Sequence, residues 1–143
     1  MTVVELLVAI AVVAVLAAIA LPSYQGYIDR AKQKQMEGDM REIEVALQRY
    51  ADDNKGNYPA SLAQVGKDGL RDAWNRPFQY LNLATAPPGH ARKDKNLVPL
   101  NTDFDLYSLG KDGASQPPLT ANASRDDFIR ANNGRFIGPA ADY

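Results

Sequence analysis

Cysteine is absent from the 143 residues, which excludes a disulfide scaffold, a thiolate metal centre and a cysteine nucleophile together. Histidine is nearly absent: His90 stands alone in a polar stretch. Neither a Ser-His-Asp triad nor a histidine-based metal cluster can be built from it. No charge excess exists either, because 16 Lys+Arg face 17 Asp+Glu for a net charge of −1. A nucleic-acid protein would carry a basic surplus, so nucleic acid is not an expected partner. Charge is also missing locally. Residues 1–28 hold only Glu5, while residues 29–143 hold all the rest, sixteen of each sign. The length suits one domain with a core. The charge split divides it into an apolar segment, 1–28, and a globular head, 29–143, that includes the amphipathic half of a helix.

What is present begins with an apolar run at residues 6–21. With residues 1–4 it is long enough to cross about 30 Å of hydrocarbon as a helix. No basic residue precedes it, and it leads into a helical pattern instead of a cleavage site. A retained membrane helix is therefore expected in place of a cleaved signal. Glu5 is the anomaly, since an ionisable group inside an apolar segment is costly and functional by default. Two readings stand side by side. Glu5 sits in the first helical turn, where the helix dipole favours an anion. Alternatively it pairs with the α-amino group of Met1, in its own or a neighbouring chain, which is an assembly mechanism.

From Tyr24 to about Asp53 apolar residues recur at Met36, Met40, Ile43, Leu47 and Tyr50, in steps of four and three. That is an amphipathic helix. The opposite face is charged with mixed sign: a solvated surface, or one on which Arg30 and Glu44 pair between subunits. Residues 52–56, Asp-Asp-Asn-Lys-Gly, close the helix. Joined to the apolar run, it spans roughly 50 residues and ~75 Å. Pro22 is expected to kink or locally open it.

In the head, Ser61 is the predicted N-cap of a short helical turn over residues 61–65. Residues 77–81 and 103–108, alternating and aromatic-rich, read as strands, with a further strand at 135–137. Residues 84–99 read as an exposed loop. Trp74, Phe78, Tyr80, Phe104 and Tyr107 are expected to be core. The predicted class is α+β, a long helix on a small antiparallel sheet. Gly110–Gly113 is too short to be a phosphate loop. Asp112, Asp126 and Asp127 lie in turn-rich sequence. Such carboxylates beside free carbonyls suit a hard cation such as calcium, although EF-hand spacing is absent. The other reading is solvated aspartates in turns.

The N-terminal MTVVELLVAIAVVAVLAAIALPSYQGY resembles the mature N-terminus of type IV pilins and of type II secretion pseudopilins. Glu5, the apolar helix, Pro22 and Tyr50 carry the likeness. Residues 72–80, DAWNRPFQY, are similar to the Asp-Pro-Trp-Gly-x-Pro-Tyr-Gln-Tyr signature of the G-type major pseudopilin, and residues 105–113, DLYSLGKDG, to its strand and calcium loop. Met1 replaces the usual Phe, Ala14 a common Gly, and Ala73 and Asn75 the Pro and Gly of the signature. An Asn-Trp expected after the aspartates is absent.

The resemblance implies a pilin fold and a prepilin peptidase that exposes Met1 for N-methylation. It implies a calcium site on Leu109, Asp112, Ala114, Ser124, Asp126 and Asp127, with a longer loop between Ala114 and Ser124 than the family shows. It also implies a single-pass inner-membrane subunit with a periplasmic head. Such a subunit joins minor pseudopilins or pilins on a secretion or pilus assembly platform and polymerises into a helical homo-oligomeric filament. The function implied is the major pseudopilin of a type II secretion system. The alternatives are a major pilin of a surface type IV pilus and, remotely, a single-pass periplasmic enzyme or binding protein.

Overall fold

The computed structural model describes residues 1–143. The chain divides into two compact units, Met1–Lys32 and Gln33–Tyr143. The first unit is helical. Helix α1 (Val3–Asp53) begins in it and is long and apolar enough at its N-terminal end to cross a membrane. Residues 1–25 are exposed throughout; nothing in the chain covers them. The helix continues without interruption through Pro22. Proline withholds one backbone donor, and beside it the Ser23 hydroxyl donates to the Ile19 carbonyl at 3.4 Å.

In the second unit α1 buries Met36, Met40, Ile43, Leu47 and Ala51. The stripe matches the sequence periodicity except at its end. There a step of four past Leu47 brings Ala51 inward and leaves Tyr50 half-buried. The helix stops where its breaker residues stand: Lys55 (φ 59°) and Gly56 (φ 86°) are left-handed, and the Gly56 N–H closes on the Ala51 carbonyl at 2.8 Å.

Four short strands follow: β1 (Gln79–Asn82), β2 (Phe104–Ser108), β3 (Phe128–Ala131) and β4 (Phe136–Pro139). They form one antiparallel sheet in the order β1-β2-β3-β4. The α+β class is as expected, but β3 is an addition. All four of its residues, Arg130 included, are buried, so it shows no polar-apolar alternation, and its arginine disguises it as surface.

The core joins the α1 stripe to Leu62, Phe78, Phe104, Leu106, Phe128 and Ile137. Tyr58 stands edge-on to Phe104 with centroids 5.0 Å apart. Trp74 and Tyr80 pack against this cluster, and Tyr107 against a second one around Leu100 and Ile129.

Two local expectations need correction. Ser61 precedes a 3-10 turn, Leu62–Val65, but its side chain makes no capping bond. Gln64 Oε1 reaches back to the Ala60 N–H at 2.6 Å instead. Residues 84–99 are not wholly exposed either. Arg92 is buried, and Lys93 is tied to Pro117 and Leu119 by backbone bonds of 2.8 and 2.9 Å.

Residues 72–76 form a tight turn organised by Asp72. Its Oδ1 accepts the N–H groups of Trp74 (3.0 Å) and Arg76 (2.9 Å), and its Oδ2 accepts the Ser108 hydroxyl (2.6 Å). Asn75, standing where the signature has Gly, sits at φ 63°. Asparagine tolerates the left-handed region better than other side chains, so the turn survives the exchange.

Candidate functional site

Two places carry the sequence-predicted residues. The first is the start of α1. The Thr2 N–H donates to Glu5 Oε2 at 2.6 Å, and the Thr2 hydroxyl approaches the same oxygen at 3.1 Å. In return the Glu5 N–H donates to Thr2 Oγ1 at 3.2 Å. This reciprocal pair is a capping box, which satisfies donors that a helix start would otherwise leave bare. Its signal, Thr-x-x-Glu, was legible in the sequence. Met1 is fully exposed beside it, and Arg30 is exposed farther along α1.

Glu44 is engaged inside the head. Its Oε1 accepts Arg130 Nε at 2.8 Å, and its Oε2 accepts Arg41 Nη1 at 3.1 Å. Arg41 also donates to the Gly134 carbonyl at 2.7 Å. Arg130 is almost fully buried and continues to Asp103 through two bonds of 2.8 Å. Burial pulls the Arg130 pKa down, but Asp103 and Glu44 more than offset it, so the guanidinium is held charged.

The second place is the loop after β2. Gly110 has φ 65°, and a Cβ there would lie 2.6 Å from the Asp126 backbone carbon. Residues 109–112 and Asp126 are thus packed against each other through the glycine. The Asp112 N–H donates to Asp126 Oδ2 at 2.9 Å, and the Ala114 N–H to Asp112 Oδ1 at 2.8 Å. Ser124 exchanges bonds of 2.9 and 2.7 Å with the Gln116 backbone. Arg76, from the Asp72 turn, braces the loop by donating to the Gly110 carbonyl at 2.6 Å.

Five of the six expected ion-binding positions, Leu109, Asp112, Ala114, Ser124 and Asp126, therefore fall in one pair of facing loop segments. The sixth, Asp127, is buried and turns to a partner the sequence did not suggest: Arg92 Nη2 donates to its Oδ2 at 2.5 Å. The Ser115 hydroxyl donates to the same oxygen. Asp127 Oδ1 is buried with no hydrogen-bond partner. Burial pushes the Asp127 carboxyl up to about 6, against the opposing pull of Ser115 and Arg92.

No three Asp, Glu or His side chains converge here as a ready cluster. A bare buried carboxylate oxygen is nevertheless a donor that a hard cation would satisfy, and turn carbonyls are the remaining ligands such an ion takes. On that observation the residues fit the ion.

Relatives decide what this arrangement belongs to. No family model matches the chain, and no solved structure matches it. "Type II secretion system core protein G" of Pseudomonas aeruginosa is 30% identical over 133 residues, covering 78% of this chain and 82% of that protein. The chain belongs to the type II secretion system core protein G family. "Fimbrial protein EcpC" of Eikenella corrodens is 38% identical over 65 residues, 46% of this chain and 42% of its own. The core protein G match extends well past α1, whereas the fimbrial match covers under half the chain.

Proposed function

We infer that this chain is a structural subunit that polymerises through α1 into a type IV pilus-like filament, the major pseudopilin of a type II secretion system. The observation that carries the reading is the match to core protein G across 78% of the chain. An apolar segment with no cover in its own chain supports it, because such a surface requires lipid or copies of itself. The relatives are named a secretion-system core protein and a fimbrial protein, which supports reading the chain as a structural subunit.

Several finer elements belong to the same proposal. The subunit is held in the inner membrane with its head in the periplasm before assembly. Met1 carries the N-methylated terminus left by a prepilin peptidase. The Met1 amine of one chain meets Glu5 of a neighbour, which exchanges the Thr2 contact for a charge pair in a water-poor layer. Arg30 of one subunit shares Glu44 of another with the internal arginines. Calcium is held by Leu109, Asp112, Ala114, Ser124, Asp126 and Asp127, where it would tie two loop segments that have no disulfide. Assembly proceeds with minor pseudopilins on a secretion platform.

Deleting the gene should abolish export of folded proteins, and the wild-type gene should restore it. Intact export in the deletion strain, with surface filaments lost, would turn the assignment over to the second reading. That reading, a major pilin of a surface type IV pilus, draws on the fimbrial match.

A further inference from the structure

Two buried polar atoms of the head have no hydrogen-bond partner, and both belong to one ion pair: Arg92 Nε and Asp127 Oδ1. The pair is joined at only one corner, Nη2 to Oδ2 at 2.5 Å. A carboxylate that meets a guanidinium side-on uses Nε and Nη2 against its two oxygens. The unsatisfied atoms are therefore the two that a side-on pair would join. Arg92 is otherwise fixed. Its N–H donates to Asp105 Oδ2 at 2.7 Å, and its guanidinium lies 4.2 Å from the Tyr107 ring centroid. An unpaired buried group is expensive, so Asp127 Oδ1 has reason to take whichever cation is offered.

We propose that Arg92 is a resident cation that competes with calcium for Asp127 Oδ1, so that the head keeps its fold when the ion is removed. Residues 84–99 supply this guanidinium, which arrives from outside the two facing loop segments. With calcium absent, Arg92 closes side-on and ties residue 127 to β2 through Asp105 and Tyr107. With calcium bound, Oδ1 turns to the ion, and Arg92 keeps Oδ2 alone. The inference rests on the calcium reading above.

The test uses the full chain in detergent micelles, with calcium chloride as the probe and a chelator as the control. Calcium affinity by calorimetry should be at least ~5-fold tighter in Arg92→Gln than in the wild type, within the range usual for coupled sites. Calcium should raise the melting temperature of the wild type less than that of Arg92→Gln, which should melt lower than the wild type in chelator and recover in calcium. Equal affinities in the two proteins overturn the competition and leave the ion reading standing. Calcium uptake by neither protein overturns both. If Arg92→Gln does not fold, the Arg92 Nε–H resonance of the wild type reads the same event. It should shift on calcium titration, and a resonance that stays still while calcium binds overturns the proposal.

Discussion

Arg130 Nε in β3 donates to Glu44 Oε1 in α1 at 2.8 Å, across 86 positions of sequence. The same guanidinium donates to both Asp103 oxygens and to the Phe104 carbonyl, and lies 3.9 Å from the Phe104 ring centroid. One buried side chain thus connects the helix, β3 and the entrance to β2. Its two carboxylate partners are only about one-fifth exposed, so solvent cannot readily replace it.

Removing one member of such a network leaves uncompensated charge in a poorly solvated place. Arg130→Ala should therefore cost about 3–5 kcal/mol. Glu44→Gln should cost less, because Asp103 still holds the guanidinium. Urea unfolding of the full chain in micelles checks both. An Arg130→Ala midpoint equal to the wild type would show that the network adds nothing net.

Glu5 has a local duty and a proposed intermolecular one, and two substitutions separate them. A glutamine can still complete a capping box but carries no charge. Glu5→Gln should therefore insert in the membrane with a helical N-terminus and fail to form filaments. Thr2→Ala removes the box and leaves the carboxylate, so it should fray the first turn at a cost of roughly 1 kcal/mol and still assemble. Electron microscopy of filaments from both strains reads the outcome. Normal filaments from Glu5→Gln would leave capping as the sole role of the residue.

Asp126 is exposed, and its carboxylate accepts a hydrogen bond from the Asp112 N–H. If it ligates calcium, Asp126→Ala should erase most of the calcium-dependent gain in melting temperature while altering the chelated protein little. A cation that binds only the folded loop stabilises by mass action, so the gain should grow with calcium concentration. A titration monitored by circular dichroism on the full chain tests this. Equal gains in mutant and wild type would remove Asp126 from the ligand set.

The parts of this molecule written in local pattern were readable from the sequence. The α1 stripe follows its period of four and three, and the helix ends at its breaker residues. Strands β1, β2 and β4 alternate or carry aromatics, so they were found near their true bounds. β3 was missed because burial on both faces erases alternation and because Arg130 reads as surface. Arg92 was missed for a related reason. Nothing near it in sequence announces Asp127 or Asp105, 35 and 13 positions away, and a Pro- and Lys-rich stretch looks solvated. A buried charge is defined by partners brought by the fold, and local periodicity contains no trace of them. Asn75 shows the converse: a departure from the family signature became intelligible once its positive φ was seen.

Asp105 gives the head a pH dependence whose sign follows from its surroundings. It is buried, with the Arg92 and Arg130 charges nearby, and burial raises its carboxyl above the ordinary value of 3.8 despite bonds from the Arg92 N–H and Asn101 Nδ2. The folded state therefore holds this proton to higher pH than the unfolded chain does. The stability Asp105 contributes is complete below about 3.8 and is lost as pH rises through the folded value. Asparagine at this position has no proton to gain, and its amide must face one of two donors, at a cost of about 1–3 kcal/mol. Asp105→Asn should thus be less stable than the wild type at pH 7, and the gap should widen as pH falls toward 4. Urea midpoints of both proteins across that window measure it. A gap that stays constant or narrows would show that the buried carboxyl is no easier to protonate than a free one.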